Sequence, residues 1–331
     1  MFVLKRLVFI KFKKVIYLNN QIKKIIVIIP YRGIGDVIFH IPLLRALFLT
    51  YKYKLIIISN HVNHAKAILK NEVFYKKIIN FDFTRGSAFN YIATSVKLLK
   101  VINRFNGDLL IVTDPSSRLA IPAFLSNSKK KTIAGLASIK NLFVKKIIFR
   151  KKFLTSNLLT LSKELKLKNY DNKYNININQ SKKDHKKKIN LFFNIDSHHN
   201  HNNWGVKNFE FLISSCLKYC SKVFINFSPK HKKMKYQFSS KIINNKNIIF
   251  TYKEKINNII KFIHNSDAVI GNESGPICIG ASLNKQVYSL YSKKHSRPES
   301  KAISKKTKYF VFNDFNSKII SKKILASIVK L

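Results

Sequence analysis

The segment Ser266-Asp-Ala-Val-Ile-Gly-Asn-Glu-Ser-Gly-Pro-Ile-Cys-Ile-Gly-Ala-Ser-Leu283 decides the fold of the C-terminal half of this chain. It reads as a short apolar strand, a polar turn and a helix of small residues, and the run Lys285–Leu290 predicts another strand after it. Such a turn leaves backbone N–H groups without acceptors at the helix start, where an anion can bind. Pro276 suits the first helical turn, and Gly275 allows a ligand close to the backbone. The competing interpretation is an ordinary helix cap.

A second segment near the N-terminus has the same strand–turn–helix form. The apolar run Lys24–Pro30 predicts a buried strand, Tyr31-Arg-Gly-Ile-Gly-Asp36 a turn, and Val37–Leu47 a helix. The dinucleotide-binding fingerprint requires a third glycine three residues after the second, but Ile38 stands there. The turn therefore does not predict a dinucleotide site of that type, and taken alone it is also consistent with a tight connection.

Together the two segments resemble glycosyltransferase family 9, the ADP-heptose:lipopolysaccharide heptosyltransferases. The family opens with a strand, Gly-Asp, four or five mostly apolar residues, Pro and an Ala-Leu helix, and Gly35-Asp36, Pro42 and Ala46-Leu47 follow that pattern. Near its C-terminus the family usually has Asp-(Ser/Thr)-Gly followed by His, where this chain has Glu273-Ser274-Gly275 and then Cys278. The resemblance implies a GT-B fold, in which two Rossmann-like α/β domains with parallel sheets face an interdomain cleft.

A third segment matches the family in part. Trp204 follows a strand and a polar turn, as in the family, but Asn202 and Asn203 stand where the family often has a basic residue that meets phosphate. Three histidines of the turn could replace that donor, or could be solvated loop residues: His198, His199 and His201. Their spacing matches no known metal motif, so we expect no metal there.

The resemblance implies a role for individual residues. Asp36 is the expected general base of an inverting displacement, although an acidic residue at a helix start is also a common cap. The expected donor site consists of Ser197, Asn203, Glu273, Ser274, Gly275 and Pro276. The expected acceptor side consists of Arg32, Gly35 and Arg118, the last being a surface arginine in the competing interpretation. Glu273 would meet sugar hydroxyls, since a carboxylate repels a diphosphate, and Cys278 is expected to be a small buried residue.

Basic residues dominate the composition. Lys and Arg number 62 against 15 Asp and Glu, for a net charge of +47. Compositional drift in an AT-rich genome, an anionic membrane or glycolipid surface, and nucleic acid would each account for this excess. The sequence contains no zinc finger, basic zipper or RNP-like motif, which makes nucleic acid the least favoured partner.

The pattern along the chain predicts a division into segments. Residues 1–20 mix bulky apolar and basic residues, as in an amphipathic membrane-surface segment. Alternating strands and helices then predict an acceptor-side domain over 21–170 and a nucleotide-sugar domain over 188–315. We expect a linker over 171–187, with a short strand at 175–179, and a C-terminal helix over 316–331. One helix is expected around 231–243.

These observations predict an enzyme that moves heptose or a related sugar from an ADP-sugar to a lipopolysaccharide inner-core acceptor. The absence of Asp-x-Asp predicts catalysis without a metal or another cofactor. The three cysteines form no disulfide framework, which favours a reducing cytoplasm. The enzyme would be a monomer on the inner face of the inner membrane. The alternative is a basic GT-B-like protein with lost or altered catalysis that binds nucleic acid or another polyanion.

Overall fold

The computed structural model describes residues 22–31, 33–83, 88–114, 117–134, 145–147, 154–171, 173–178, 188–197, 202–293, 303–313 and 316–331. Its strands form two six-stranded sheets, and all neighbouring strands in both sheets are parallel. The expectation of two α/β domains with parallel sheets is therefore confirmed. The extension at 1–20 lies outside the described residues.

The N-terminal sheet has the strand order β3-β2-β1-β4-β5-β6. Its strands are β1 (Ile25–Ile29), β2 (Leu55–Ser59), β3 (Tyr75–Asn80), β4 (Leu109–Val112), β5 (Lys130–Ala134) and β6 (Lys145–Ile147). The helices are α1 (Ile34–Tyr51), α2 (Val62–Ile68), α3 (Ala88–Asn103), α4 (Ser117–Leu125) and α5 (Leu154–Glu164). Every residue of β1, β2 and β4 is buried, as the continuous apolar runs of a sheet covered on both faces require.

The C-terminal sheet repeats this plan with the order β12-β11-β10-β7-β8-β9. Its strands are β7 (Ile189–Asn194), β8 (Cys220–Asn226), β9 (Ile248–Phe250), β10 (Ala268–Asn272), β11 (Gln286–Ser292) and β12 (Thr307–Phe312). The helices are α6 (Val206–Cys216), α7 (Ser240–Ile243), α8 (Ile256–His264), α9 (Gly275–Ser282) and α10 (Ser317–Ile328). Ile320, Ile324 and Ile328 of α10 are buried in the core of this domain.

Two local predictions were wrong. The helix expected around 231–243 is a 3-10 segment, Pro229–Gln237, followed by the short α7. The 3-10 segment contains four lysines and no buried residue, so it lacks the apolar face that stabilises a surface α-helix. The strand expected at 175–179 is absent over the described residues 173–178. Tyr174 and Ile176 instead bury their side chains in the core.

The sheet orders fix where a ligand can bind. In each sheet the chain adds strands on one side of the first strand and then continues on its other side. This change of side lies between β1 and β4 in the N-terminal sheet and between β7 and β10 in the C-terminal sheet. Open parallel sheets bind ligands at this switch point, beyond the carboxyl ends of the strands. The turns that follow β1 and β10 hold Asp36 and Ser274, so the residues singled out from the sequence lie at the two switch points.

The two domains meet where α1 and α9 begin. A side-chain Cβ on Gly35 would lie 3.0 Å from the Sγ atom of Cys278, and one on Gly275 would lie 2.9 Å from the Cβ of Ile34. Each glycine therefore makes room for the facing helix. The missing side chain of Gly275 serves helix packing and not, as the sequence suggested, the approach of a ligand from that side. Its N–H group as a phosphate donor stays a prediction.

Helix α1 is the one helix among the described residues that is long and apolar enough to cross a membrane. Most of its buried residues belong to a hydrophobic cluster that both domains share. That cluster contains Phe39 and Leu43 of α1 together with Ile277 of α9 and Val287 of β11. Packing between the domains thus accounts for the apolar character of α1.

Residues 173–178, in the segment that joins the domains, form hydrogen bonds with both domains. Arg45 of α1 donates to the backbone carbonyl of Asn175 at 2.7 Å and pairs with Glu72 at 2.5 Å. The N–H group of Ile176 donates to the carbonyl of Ser282, at the end of α9, at 3.2 Å. Residues 173–178 therefore bind the outside of the interface whose centre is the α1–α9 contact.

We predict energetic coupling between Gly35 and Cys278. Gly35→Ala places a methyl group against the sulfur, which costs about 1–3 kcal/mol, partly offset by about 1 kcal/mol of helix propensity. Cys278→Ala removes the sulfur, and the Cβ of residue 278 would then lie 3.6 Å from the new methyl carbon. Urea unfolding of both single variants and the double variant should give a coupling energy of about 0.5–3 kcal/mol. Simple additivity would contradict the packing of α1 on α9.

Candidate active site

Asp36 lies in the first turn of α1 at the N-terminal switch point. Its Oδ2 atom accepts a hydrogen bond from the N–H group of Gly33 at 2.9 Å, so the carboxylate does cap the helix. Burial nevertheless raises the pKa of Asp36 to about 6, and the Gly33 hydrogen bond opposes that rise. A carboxylate with a pKa near neutrality is suited to accept a proton from a bound hydroxyl group.

His40, one turn after Asp36, connects this turn to the neighbouring strand. Its Nδ1 atom lies 2.6 Å from the backbone oxygen of Asp36, and its Nε2 atom lies 2.9 Å from the Oγ1 atom of Thr113. Burial lowers the pKa of His40 to about 4, so the ring is neutral at pH 7. A carbonyl oxygen can only accept, which places the single ring proton on Nδ1. The Thr113 hydroxyl lies 2.9 Å from both Nε2 and the carbonyl oxygen of Ile28, and its single proton serves one of these two acceptors at a time. These contacts link the turns after β1 and β4.

Tyr31 covers the same corner of the site. Its hydroxyl group donates to the carbonyl oxygen of Thr113 at 3.2 Å, and its ring centroid lies 5.8 Å from that of His40. Burial and the nearby carboxylates of Asp114 and Asp36 hold the pKa of Tyr31 well above its usual range. The phenol therefore stays neutral. Of the expected acceptor-side residues, Arg32 lies outside the described residues, as does the side chain of Arg118.

Ser274 begins α9 at the other switch point. Its Oγ atom donates to the carbonyl of Asn272 at 2.8 Å and accepts from the Nδ2 atom of Asn194 at 2.9 Å. These bonds fix the serine at the N-terminus of an eight-residue helix that begins with Gly275 and Pro276. The first N–H groups of any helix lack intrahelical acceptors and carry partial positive charge. The start of α9 is thus suited to an anion.

Two carboxylates from different domains converge on Cys278. Burial raises the pKa of its thiol above the usual range, and the charges of Asp36 and Glu273 raise it further. The thiol is buried, as expected from the sequence, and therefore stays protonated and unreactive. Glu273 accepts from the Nδ2 atom of Asn202 at 3.4 Å. The general-base candidate of one domain and the start of α9 in the other accordingly both lie near this small side chain.

The remaining expected donor residues make internal contacts. Asn203 accepts a hydrogen bond from Asn272 at 3.3 Å, and the N–H group of Trp204 donates to that same Asn272 side chain at 3.0 Å. Trp204 is buried, and its ring N–H group donates to Ser317 of α10. Ser197 is buried at the end of β7. Their contacts to a ligand stay predictions, and His198, His199 and His201 lie outside the described residues.

Sequence reasoning missed several polar residues of the site. His40, Thr113, Asn194, Asp196 and His231 all lie near the carboxyl ends of strands. The available signal was a polar residue directly after an apolar strand, which occurs at Thr113, Asn194 and Asp196. Among the described residues no group of three or more His, Cys, Asp or Glu side chains could hold a metal ion. Catalysis without a metal stays a prediction.

The His40–Thr113 contact yields a stability prediction. Thr113→Val keeps the shape of the side chain but removes the hydroxyl group that the Nε2 atom of His40 and the carbonyl oxygen of Ile28 share, which should cost about 1–3 kcal/mol of unfolding free energy. Thr113→Ser keeps the hydroxyl group and loses only a methyl group, for about 0.8 kcal/mol. Urea unfolding of both variants distinguishes them. A valine variant as stable as the serine variant would show that the hydrogen bond contributes nothing.

Comparisons with known proteins agree with this geometry. Residues 138–324, more than half of the chain, match the sequence profile described as glycosyltransferase family 9 (heptosyltransferase). No curated protein sequence matches the chain significantly. Among solved structures, the fold is similar to a glycosyl transferase family 9 protein from Veillonella parvula, with a TM-score of 0.72, 16% identity and coverage of 95% of this chain and 91% of that one.

Two Escherichia coli enzymes have the same fold. ADP-heptose lps heptosyltransferase II gives a TM-score of 0.72 at 13% identity, over 93% of this chain and 99% of that chain. Heptosyltransferase WaaC, solved with ADP-2-deoxy-2-fluoro heptose, gives 0.69 at 11% identity, over 92% and 99%. These identities establish the fold alone, which is the GT-B arrangement. With the sequence-profile match, they lead to one conclusion: the chain belongs to glycosyltransferase family 9 and is a glycosyltransferase.

Proposed function

We propose that this glycosyltransferase moves heptose, or a closely related sugar, from an ADP-sugar to the inner core of lipopolysaccharide with inversion of the anomeric centre. One observation carries the proposal. Asp36 of the N-terminal domain and Glu273, beside the start of α9, both lie near Cys278 at the domain interface. A sugar bound there has a base on one side and an anion site on the other.

The proposed chemistry assigns a proton and a leaving group to these two elements. Asp36 accepts the proton of the acceptor hydroxyl while the hydroxyl oxygen attacks the anomeric carbon. The bond to the diphosphate breaks on the opposite face, and the negative charge moves to ADP. The N–H groups at the start of α9 and the hydroxyl group of Ser274 stabilise that charge, as helix N-termini do for phosphates. We assign no step to a metal or cofactor.

Glu273 has a separate role in this proposal. A carboxylate beside the diphosphate site would repel the phosphates, whereas sugar hydroxyl groups donate to carboxylates readily. Its contact with Asn202, which also accepts from the N–H group of Ser292 at 2.8 Å, fixes its direction. We therefore assign Glu273 to hydroxyl groups of the transferred sugar.

The net charge of +47 supports a second candidate, a family member without turnover that binds nucleic acid or another polyanion. Transfer assays with ADP-heptose and a purified core acceptor distinguish the two candidates. Turnover dependent on Asp36 supports the enzyme, and retention of nucleic acid without turnover supports the alternative. We also propose a cytoplasmic location on the inner face of the inner membrane, where an anionic glycolipid acceptor would be reached.

The first functional prediction concerns Asp36. Asp36→Asn removes the base and should lower the transfer rate about 10²–10⁴-fold, while ADP affinity changes little. Because only the deprotonated carboxylate accepts a proton, wild-type kcat/KM should rise with pH through about 6, the pKa of Asp36. Asp171→Asn, which changes an exposed carboxylate, should leave both the rate and the pH profile unaltered. A wild-type rate in Asp36→Asn would end the assignment.

The second functional prediction concerns residues 1–18, which lie outside the described residues. Their mixture of aromatic, aliphatic and basic side chains favours attachment to anionic lipid. Deleting them should reduce cosedimentation with anionic liposomes but not transfer to a soluble, delipidated acceptor. Added salt should weaken the binding of the full chain, because exposed charges are screened. Equal liposome binding by the truncated and full chains would assign attachment to the rest of the surface.

A further inference from the structure

A polar network joins the ends of β10, β7 and β8, which are neighbours in the C-terminal sheet. The Nδ2 atom of Asn194 donates to the backbone oxygen of Asp196 at 2.6 Å and to the Oγ atom of Ser274 at 2.9 Å. One amide nitrogen thus bridges the turn after β7 and the start of α9. Asp196 therefore lies directly beside the proposed anion site.

Asp196 holds a histidine from the next strand's turn. Its Oδ2 atom accepts from the Nδ1 atom of His231 at 2.7 Å and from the N–H group of Ser228 at 3.0 Å. Asp196 is buried, whereas 40% of the His231 side chain is exposed. The carboxylate can only accept from Nδ1, so the Nε2 atom of His231 is left for solvent or a ligand. The Oδ1 atom of Asp196 is buried and has no partner among the described residues.

The segment that carries His231 is basic and contributes no buried side chain. It reads Pro-Lys-His-Lys-Lys-Met-Lys-Tyr-Gln over residues 229–237 and contains no acidic residue. Ser228 caps its start by accepting from the N–H group of Lys230 at 3.4 Å. Since the segment adds little to the core, its positive charge requires an explanation outside fold stability.

The position where the family often has a basic residue provides no cation here. The side chain of Asn202 bonds Glu273 and Ser292, and that of Asn203 bonds Asn272. Both asparagines are thus used within the protein. A donor diphosphate at the start of α9 would still carry negative charge, and a nearby cation is needed to neutralise it.

We infer that His231, oriented by Asp196, is a binding residue for the diphosphate of the nucleotide-sugar donor. This inference rests on the proposed function. The Nε2 atom donates to a phosphate oxygen only when the ring carries its second proton, because Nδ1 already donates to Asp196. The Nδ1–Asp196 bond remains in place throughout, and no covalent bond changes.

The charged groups around His231 lie on its own segment and on the neighbouring elements. Asp196 faces the ring from the end of β7, and Lys230 and Lys232 flank it on its own segment. Glu273 lies beside the start of α9, and Glu210 of α6 accepts from the Oγ atom and N–H group of Ser239 beyond the other end of the segment. The two flanking lysines add positive charge next to the exposed ring nitrogen, which favours a phosphate group there.

Calorimetry on the full chain tests this inference, with ADP and inorganic pyrophosphate as probes. Wild-type protein should bind both probes. His231→Asn should bind them about tenfold more weakly, since one charge-assisted hydrogen bond is lost. Asp196→Asn, a second variant at the same pair, should weaken binding in the same direction.

A control variant separates this loss of affinity from other effects. His264→Asn changes a histidine at the end of α8, at the opposite edge of the same sheet, and should bind both probes like wild type. Thermal unfolding verifies that each variant is folded, and His231→Gln replaces His231→Asn if that variant is not.

The outcomes distinguish the two proposals. Equal affinity of wild type and His231→Asn for both probes would overturn the role of His231, while ADP binding itself would still support the proposed donor. Pyrophosphate binding that depends on His231, without ADP binding, would support the histidine and contradict the ADP donor. Binding of neither probe to wild-type protein would overturn both.

Discussion

The contact between the starts of α1 and α9 is the constraint on which the site depends. Gly35 and Gly275 have no side chains, and Cys278 and Ile34 occupy the space that their Cβ atoms would need. Close approach of two helix starts brings the base candidate of one domain next to the anion site of the other. A larger side chain at either glycine would separate these groups. The packing of α1 on α9 therefore sets the distance between the base candidate and the anion site.

Hydrogen bonds between side chains reinforce each switch point from within. His40 and Thr113 join the turns after β1 and β4, and Asn194 joins Ser274 to the turn after β7. Buried polar groups of this kind are costly when unpaired, so their pairing restricts the turns to one arrangement. The same burial that makes these bonds necessary also raises the pKa of Asp36 toward neutrality. Burial is thus the common cause of the rigidity of the turns and of the raised proton affinity of Asp36.

The scarce acidic residues have defined structural positions in a chain with 62 basic and 15 acidic side chains. Asp108 accepts from the N–H groups that precede β1 and pairs with a lysine, and Asp267 accepts from the N–H group of Asn190 in β7. Glu72 pairs with Arg45, and Asp196 pairs with His231. These carboxylates stabilise strand ends and junctions between segments. The basic excess remains at the surface, where anionic partners would be met.

The sequence by itself determined the local elements and the broad fold class. Apolar runs such as Ile25–Ile29 and Leu109–Val112 match observed strands, because burial on both faces of a parallel sheet demands continuous hydrophobicity. The Gly-Asp and Ser-Gly-Pro turns also identified the family, while the roles of Asp36 and Ser274 stay predictions. Only the tertiary structure decided that Gly275 packs on Ile34. It alone paired His231 with Asp196, because contacts between residues far apart in the chain depend on strand order and domain packing, which local patterns do not encode.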